Sequence, residues 1–176
     1  MLAARSLQEA RLYVDLQPCD CGTTSPFDPE FAVEEHDGQS AVVYAGTCPG
    51  CGRERRFELA GVPAGDGFGG AEASSIIDPG EFLWVSDAAT DQALSFATSP
   101  DSQGAARAAF ETALAALDEV LKFVVPGATE VSADQIRSEL GRTVYDANPD
   151  RFQVERLQQR RAMIADAQDR AVRANA

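Results

Sequence analysis

A helical pattern of apolar residues opens the chain. Four of them recur at spacings of four, three and four positions, which places them on one face of a helix: Ala3, Leu7, Ala10 and Val14. We expect this helix over residues 3–15. Pro18 predicts its end, because proline lacks the amide hydrogen and disfavours helical geometry in the residue before it.

Residues 17–62 carry a different pattern, typical of short strands. Two β-prone runs, residues 31–33 and 41–44, flank Asp37-Gly38, a dipeptide that favours the tight turn of a β-hairpin. Residues 53–59 then alternate between charged and apolar side chains, as expected of a strand with one buried face. We expect a three-stranded antiparallel meander.

Glycine dominates the next segment, residues 63–75, whose composition predicts a flexible linker. Gly65, Gly67 and Gly70 match the spacing G-x-G-x-x-G, but the dinucleotide-binding form of that motif needs a strand before it and a helix directly after it. The neighbouring acids would also repel phosphate. We therefore interpret the segment as a linker between residues 1–62 and residues 76–176.

Residues 76–176 carry the signals of about four helices. Asp78-Pro79 is an N-cap followed by a proline at the first helical position. A second helix, over residues 104–123, is predicted from four apolar residues on one face: Phe110, Leu114, Leu117 and Leu121.

Two further signals predict the last two helices. Ser132 and Gln135 match a capping box for a helix through Ile136, Leu140 and Val144. Asn148-Pro149 repeats the combination of cap and proline ahead of a final helix with Val154, Leu157 and Ile164 inside. The predicted fold class is therefore α+β, with an N-terminal helix, a three-stranded antiparallel sheet and about four helices.

Four cysteines mark the strand-rich segment as a metal site. They are spaced as Cys-x-Cys, 26 intervening residues and Cys-x-x-Cys: Cys19, Cys21, Cys48 and Cys51. Four thiolates satisfy the tetrahedral preference of Zn²⁺, and in a reducing cytosol such cysteines are metal ligands before they are disulfides. Pro49 stiffens the second turn, and its glycines let backbone amides approach the sulfur atoms and lower their pKa.

Residues 17–60 resemble a zinc ribbon, a small β-fold with a cysteine turn at the end of each of two hairpins. The resemblance rests on the turn Cys48-Pro49-Gly50-Cys51-Gly52 and covers about a quarter of the chain. The first pair, Cys19-Asp20-Cys21, departs from the family's usual two-residue gap. The resemblance implies one structural zinc ion held by all four cysteines.

Other interpretations of the cysteines compete with zinc. Iron of the rubredoxin type also uses Cys-Pro-x-Cys-Gly turns, but normally at both pairs. Two disulfides would need an oxidising compartment, and a catalytic zinc needs an open position that four cysteine ligands close. His36 could replace one cysteine, although its place in the predicted hairpin turn favours a solvent-exposed side chain.

Charge limits the range of partners. The chain has 28 acidic and 15 basic residues, a net charge of −13, and no basic residue lies between Arg56 and Arg107. Such a surface repels nucleic acids and anionic membranes and attracts basic proteins. The sequence contains no apolar run long enough to span a membrane, and charges interrupt the N-terminal segment where a secretory signal would be apolar. We therefore expect a cytoplasmic protein.

Catalytic chemistry has few candidates in this sequence. His36 is the single histidine and every cysteine is assigned to the metal, so neither a Ser–His nor a Cys–His pair is expected. We predict a non-enzymatic protein. An enzyme with its site among the helices is a third hypothesis, and it would require a polar pocket containing an acid with a strongly shifted pKa.

The leading hypothesis is an acidic protein that binds a basic protein, such as an immunity or antitoxin-like inhibitor of a basic nuclease. The bulky residues 82–84 cannot all face one core, which makes one of them a candidate for a partner surface. That predicted surface consists of one aromatic residue and three acids: Trp84, Glu81, Asp87 and Asp91.

The alternative hypothesis is a nucleic-acid-associated zinc ribbon of a transcription or repair complex. It would use the basic cluster Arg53, Arg55 and Arg56 beside the second cysteine turn. The net charge disfavours it, because salt bridges to the chain's own acids account equally well for these arginines. The sequence does not define an oligomeric state.

Overall fold

The computed structural model describes residues 1–36, 38–63, 65 and 67–173. The helices are α1 (Leu7–Leu16), α2 (Pro79–Phe96), α3 (Gln103–Leu121), α4 (Glu139–Ala147) and α5 (Val154–Arg173), and the strands are β1 (Glu30–His36), β2 (Gln39–Thr47) and β3 (Glu54–Ala60). The predicted fold class is confirmed: α+β, with an N-terminal helix, a three-stranded antiparallel sheet and then four helices. Asp37 of the predicted hairpin turn and the side chain of His36 lie outside the described residues.

Helix α1 begins later than the apolar spacing predicts. Ser6 is its N-cap, and the Ser6 hydroxyl oxygen accepts a hydrogen bond from the Glu9 amide at 2.9 Å. The residues before it contact the sheet instead: the carbonyl of Leu2 accepts a hydrogen bond from the amide of Ala60 of β3 at 2.7 Å. The predicted end is confirmed, since the helix stops at Leu16, just ahead of Pro18.

The sheet has the strand order β1-β2-β3, with antiparallel pairing at both interfaces. Its central strand, β2, carries a run of four buried residues, 41–44, whereas β1 and β3 are edge strands. On one face, Val42 and Tyr44 pack with Ala10 and Val14 of α1. Helix α1 therefore covers the middle of the sheet and provides the core of this unit.

The chain divides into two compact units, Met1–Ile76 and Ile77–Ala176. Part of the glycine-rich segment contacts the N-terminus: the Ser6 hydroxyl donates to the Gly67 carbonyl at 2.6 Å, and the Arg5 guanidinium donates to the Glu72 carbonyl. Described residues of the segment predicted as a flexible linker are thus held within the first unit. The boundaries 1–62, 63–75 and 76–176 themselves stay a prediction.

Helices build the second unit around an aromatic and aliphatic core. Helix α2 packs on α3 and α4, and α3 also packs on α5. The largest fully buried side chains of this unit come from all parts of it: Phe82, Phe110, Phe152, Ile77, Leu83, Leu117 and Leu157. Within the described part of the chain, no helix combines the length and apolar character needed to cross a membrane.

The predicted capping box at Ser132 is wrong. Residues Ala133–Gln135 form only a short 3₁₀ helix, and the Ser132 hydroxyl makes no capping hydrogen bond. Helix α4 begins instead at Glu139, where the Ser138 hydroxyl accepts from the Gly141 amide at 2.9 Å. Ser138 is the N-cap in place of Ser132 because Asp78 holds its backbone: the Asp78 Oδ2 accepts a hydrogen bond from the Ser138 amide at 2.6 Å.

The proline at position 149 also acts differently from the prediction. It opens a 3₁₀ helix, Pro149–Phe152, and α5 starts afterwards at Val154. Leu157 and Ile164 are buried as predicted, whereas Val154 is half-buried. The final helix is therefore confirmed in identity and inward face, but not in its starting residue.

Candidate metal centre

The second cysteine pair lies in the tight turn that joins β2 to β3. Cys48 directly follows β2, and its amide donates to the Arg53 carbonyl while its carbonyl accepts from the Gly52 amide, both at 2.8 Å. Gly52 has a φ of +72°, a conformation that favours glycine over residues with a side chain. These bonds fix the direction of the Cys48 and Cys51 side chains.

The first cysteine pair lies between α1 and β1 in a similar turn. The Gly22 amide donates to the Cys19 carbonyl at 2.8 Å, and Gly22 also has a φ of +72°. The two turns pack closely, because a Cβ placed on Gly50 would lie 2.6 Å from the Cβ of Thr23. The short Cys-x-Cys spacing thus still directs both sulfur atoms toward the other pair.

All four sulfur atoms lie within 4.8 Å of one another. The distance between the Cys19 and Cys51 sulfurs is 3.8 Å, and that between the Cys21 and Cys48 sulfurs is 3.6 Å. A disulfide would bring two sulfurs to about 2 Å, so the four cysteines form no disulfide bonds with one another. Thiolates at about 2.3 Å from a tetrahedral zinc ion would be about 3.8 Å apart, which agrees with the observed distances.

The surroundings of Cys48 favour its thiolate form. Burial acts to raise the pKa of the Cys48 thiol, but amide hydrogen bonds from Cys51 and Gly50, together with the neighbouring thiols, lower it to about 6. This agrees with the expectation that the glycine turn directs amides toward sulfur. A site with one such thiolate is suited to a cation.

Cys21 shows the opposite behaviour. The Thr23 amide lowers the pKa of the Cys21 thiol, but loss of hydration and the three neighbouring thiols outweigh this and raise it to about 12. Four neighbouring thiolates would repel one another, and a divalent cation that binds them replaces the protons of the thiol form.

Two of the three arginines in the predicted basic cluster beside the cysteines pair with acids of the first unit. Arg53 pairs with Asp20, which lies between the first two cysteines, and Arg56 donates to Glu34 at 2.7 Å. Arg55 donates to the Gln17 carbonyl at 2.7 Å. The sequence carried a signal for the first of these pairs, since an acid stands inside one cysteine turn and an arginine directly after the other.

The predicted partner surface is only partly exposed. Trp84 is 43% exposed, and Asp91 lies on the same solvent-facing side of α2. Asp87 accepts hydrogen bonds from Arg151 and Arg160, at 2.6–2.8 Å. Glu81 is buried, so the structure does not bring the four predicted residues together on one surface.

Glu81 has a structural partner. Its carboxylate accepts from the Asp78 amide at 2.8 Å, while the Asp78 carboxylate accepts from the Glu81 amide at 2.9 Å, which is a capping box at the start of α2. Burial raises the pKa of Glu81, and the nearby Asp78 charge adds to this against the hydrogen bonds that lower it. Burial thus accounts for the raised pKa of Glu81, and helix capping accounts for the role of its carboxylate.

The fold and the site define a class: a three-stranded antiparallel sheet carrying four cysteines placed to bind one metal ion. This arrangement is compatible with a zinc ribbon. No protein-family pattern, no curated protein and no solved structure matches the chain. The interpretation of the site therefore depends on its own geometry and chemistry.

Proposed function

We propose that Cys19, Cys21, Cys48 and Cys51 hold one Zn²⁺ ion and that residues 17–60 are a zinc ribbon. The observation that carries this proposal is the spacing of the four sulfur atoms, with two separations of 3.6 and 3.8 Å close to those of a tetrahedral thiolate site. Four protein ligands fill the coordination sphere of zinc, which makes the ion structural. Iron would accept the same ligands and is the competing occupant.

Metal analysis of the purified full chain tests this proposal. We expect one zinc per chain, and cobalt exchanged into the site should give the visible absorption of tetrahedral thiolate coordination. Cys51→Ser should weaken zinc retention against a competing chelator, whereas Ser25→Ala, near the first turn, should not. Stoichiometric iron with a red colour would instead establish a rubredoxin-type centre.

We infer further that the chain is a non-enzymatic acidic protein that binds a basic protein partner, for which an immunity or antitoxin-like inhibitor is the specific form proposed. The net charge of −13 supports this, as do the ion pairs of Arg53 with Asp20 and of Arg56 with Glu34, which offset positive charge near the metal centre. The proposal places the protein in the cytoplasm, where cysteine thiols stay reduced.

Recovery of partners from native cells tests the binding proposal. A tagged full-length chain should retain a basic protein, and binding should weaken as salt is raised. Trp84→Ala tests the predicted α2 surface, with Leu94→Ala as its control because Leu94 is 49% exposed on the same helix. Retention of no basic protein at low salt would count against the binding function as a whole.

The nucleic-acid alternative depends on Arg53, the most exposed arginine beside the metal centre, with 60% of its side chain accessible. A ribbon of a transcription or repair complex would bind oligonucleotides at low salt and lose them steeply as salt rises. Arg53→Gln should then reduce the salt dependence, while Arg107→Gln, on α3, should not. Absence of oligonucleotide binding at low salt would exclude this alternative.

A further inference from the structure

The first unit has one edge strand whose inward-facing side chains are left half exposed. Phe31 and Val33 of β1 are 51% and 50% exposed. Their direct cross-strand partners on β2, Tyr44 and Val42, are buried beneath α1. Cross-strand partners share a face of the sheet, so Phe31 and Val33 extend the core face beyond the area that the helix covers.

The two edge strands differ in what pairs with their outer edges. At β3, Leu2 runs parallel beside Leu59 and accepts the amide hydrogen of Ala60, so the N-terminal residues occupy part of that edge. Within the described residues, β1 pairs only with β2. An edge strand directs alternate amide and carbonyl groups away from its sheet, so β1 offers hydrogen-bonding groups beside a row of exposed apolar side chains.

The negative charge of β1 indicates which kind of strand could pair with its outer edge. Glu30 and Glu35 are exposed, whereas Glu34 accepts a hydrogen bond from Arg56 of β3. A second copy of the chain paired along β1 would bring two sets of these glutamates together, and like charges across strands are destabilising. A basic segment would place lysine or arginine opposite them instead. Acidic side chains on an edge strand thus oppose self-association and favour a basic strand.

We propose that β1 is the docking edge for an extended basic segment of the partner, which adds a fourth strand to the sheet. Alternate apolar side chains of that segment would cover Phe31 and Val33, and its basic side chains would lie near Glu30 on the opposite face of the sheet and near Glu35 beyond Val33. The site rests on the proposed function, the binding of a basic protein. It names where and in which conformation that protein is held.

A labelled peptide of alternating lysine and valine, seven residues long, tests the docking edge on the zinc-loaded full chain. Fluorescence anisotropy at low salt should report saturable binding. The double substitution Phe31→Thr, Val33→Thr keeps β-branched or strand-compatible side chains but removes apolar area, and it should weaken binding by at least about tenfold. Val62→Thr is the control, because Val62 is likewise 50% exposed in this unit but lies outside the strands.

A second probe separates strand addition from simple charge attraction. The same peptide methylated on alternate amide nitrogens keeps its charge but cannot donate along one edge, and it should bind at least about tenfold more weakly. Thermal unfolding of each variant, together with its zinc content, establishes that the sheet is intact. A variant that fails to fold is replaced by Val33→Thr alone, for which a measurable loss of affinity is expected.

The outcomes distinguish the docking site from the binding function. Equal binding of the methylated and unmodified peptides, or no loss in the threonine variants, would overturn the β1 site while leaving a basic partner in place. Sedimentation that shows self-association abolished by Val33→Thr would assign the edge to a second copy and overturn it too. If neither this peptide nor a lysine–serine peptide binds, the docking site and the proposed function both fail.

Discussion

Gly80 of α2 and Gly141 of α4 approach each other more closely than any residues with side chains could. A Cβ placed on Gly80 would lie 2.5 Å from the Cα of Gly141. A Cβ placed on Gly141 would overlap the carboxylate of Asp78, which caps α2 and also accepts the amide hydrogens of Arg137 and Ser138 at 2.9 and 2.6 Å. The two glycines therefore determine how α4 is placed against the start of α2.

Substituting either glycine should destabilise the helical unit. Gly80→Ala forces the α4 backbone away, and overpacking of this kind costs about 1–3 kcal/mol. Urea unfolding followed by circular dichroism measures the loss. Gly104→Ala is the control, since a Cβ there meets nothing within 4 Å and alanine is the better helix former, so stability should stay the same or rise slightly. Equal midpoints for Gly80→Ala and the parent chain would contradict the close approach.

The buried Glu81 should make the folded state less stable as pH rises. Burial raises its folded-state pKa above the ordinary 4.5, so the folded chain holds this proton to higher pH than the unfolded chain. The contribution to stability is therefore fully present below the ordinary value and is lost as pH rises through the folded-state pKa. Glu81→Gln keeps an acceptor for the Asp78 amide but cannot ionise.

The parent chain and Glu81→Gln should consequently differ most above that pH window, with the glutamine variant equally or more stable at neutral pH. The free energy of unfolding, measured from pH 4 to 8 with zinc in excess, checks this through the difference between the two curves. Exposed Glu111→Gln on α3 provides a control for loss of one negative charge. Parallel curves for the parent and Glu81→Gln would refute the assignment.

Local signals explain why much of this fold could be predicted. The spacing of Leu117 within α3, the alternation in β3 and the cysteine turns each depend on neighbouring residues, and each appears as expected. The start of α4 could not be predicted in the same way. Ser132 and Ser138 both provide a capping hydroxyl, and the choice is made by Asp78, about 60 residues away in sequence.

The acids of the predicted partner surface could not be assigned correctly for the same reason, because their contacts and burial are not local signals. Glu81 stands three residues after an aspartate N-cap, so the capping-box spacing was present in the sequence, but burial decides that the carboxylate is used for capping. Asp87 is engaged by arginines from the end of the chain, which no local pattern indicates. Conversely, the exposure of Phe31 depends on how far α1 extends over the sheet, a property of packing alone.

Removal of the proposed zinc ion should unfold residues 17–60, the proposed ribbon. A structural thiolate site can contribute on the order of 10 kcal/mol to folding, which is a large share for a small sheet that packs on α1. A strong chelator should therefore collapse the dispersed amide resonances of β1, β2 and β3 in heteronuclear NMR spectra, and added zinc should restore them. Cys48→Ala should give the unfolded ribbon spectrum without chelator. Dispersed strand resonances in the metal-free chain would mean that the ion is dispensable for folding.

Arg55 should contribute to stability through contacts that lysine cannot reproduce. Its guanidinium carbon lies 4.6 Å from the Phe27 ring centroid and 4.9 Å from that of Phe57, and the same group donates to the Gln17 carbonyl. A cation held over aromatic rings contributes about 0.5–2 kcal/mol, and the planar guanidinium stacks where an ammonium cannot. We therefore expect Arg55→Lys to lower the free energy of unfolding by about 1–2 kcal/mol in urea titrations.

A matched arginine separates this packing role from a role in nucleic-acid binding. Arg107 is exposed and makes one helical ion pair with Glu111, so Arg107→Lys should change stability by less than about 0.5 kcal/mol. If Arg55 served mainly to contact phosphate, Arg55→Lys would resemble this control in stability, because a phosphate contact operates only in the complex. A clear stability loss confined to Arg55→Lys would instead assign the side chain to the packing of the first unit, and would leave Arg53 as the exposed arginine on which the nucleic-acid alternative depends.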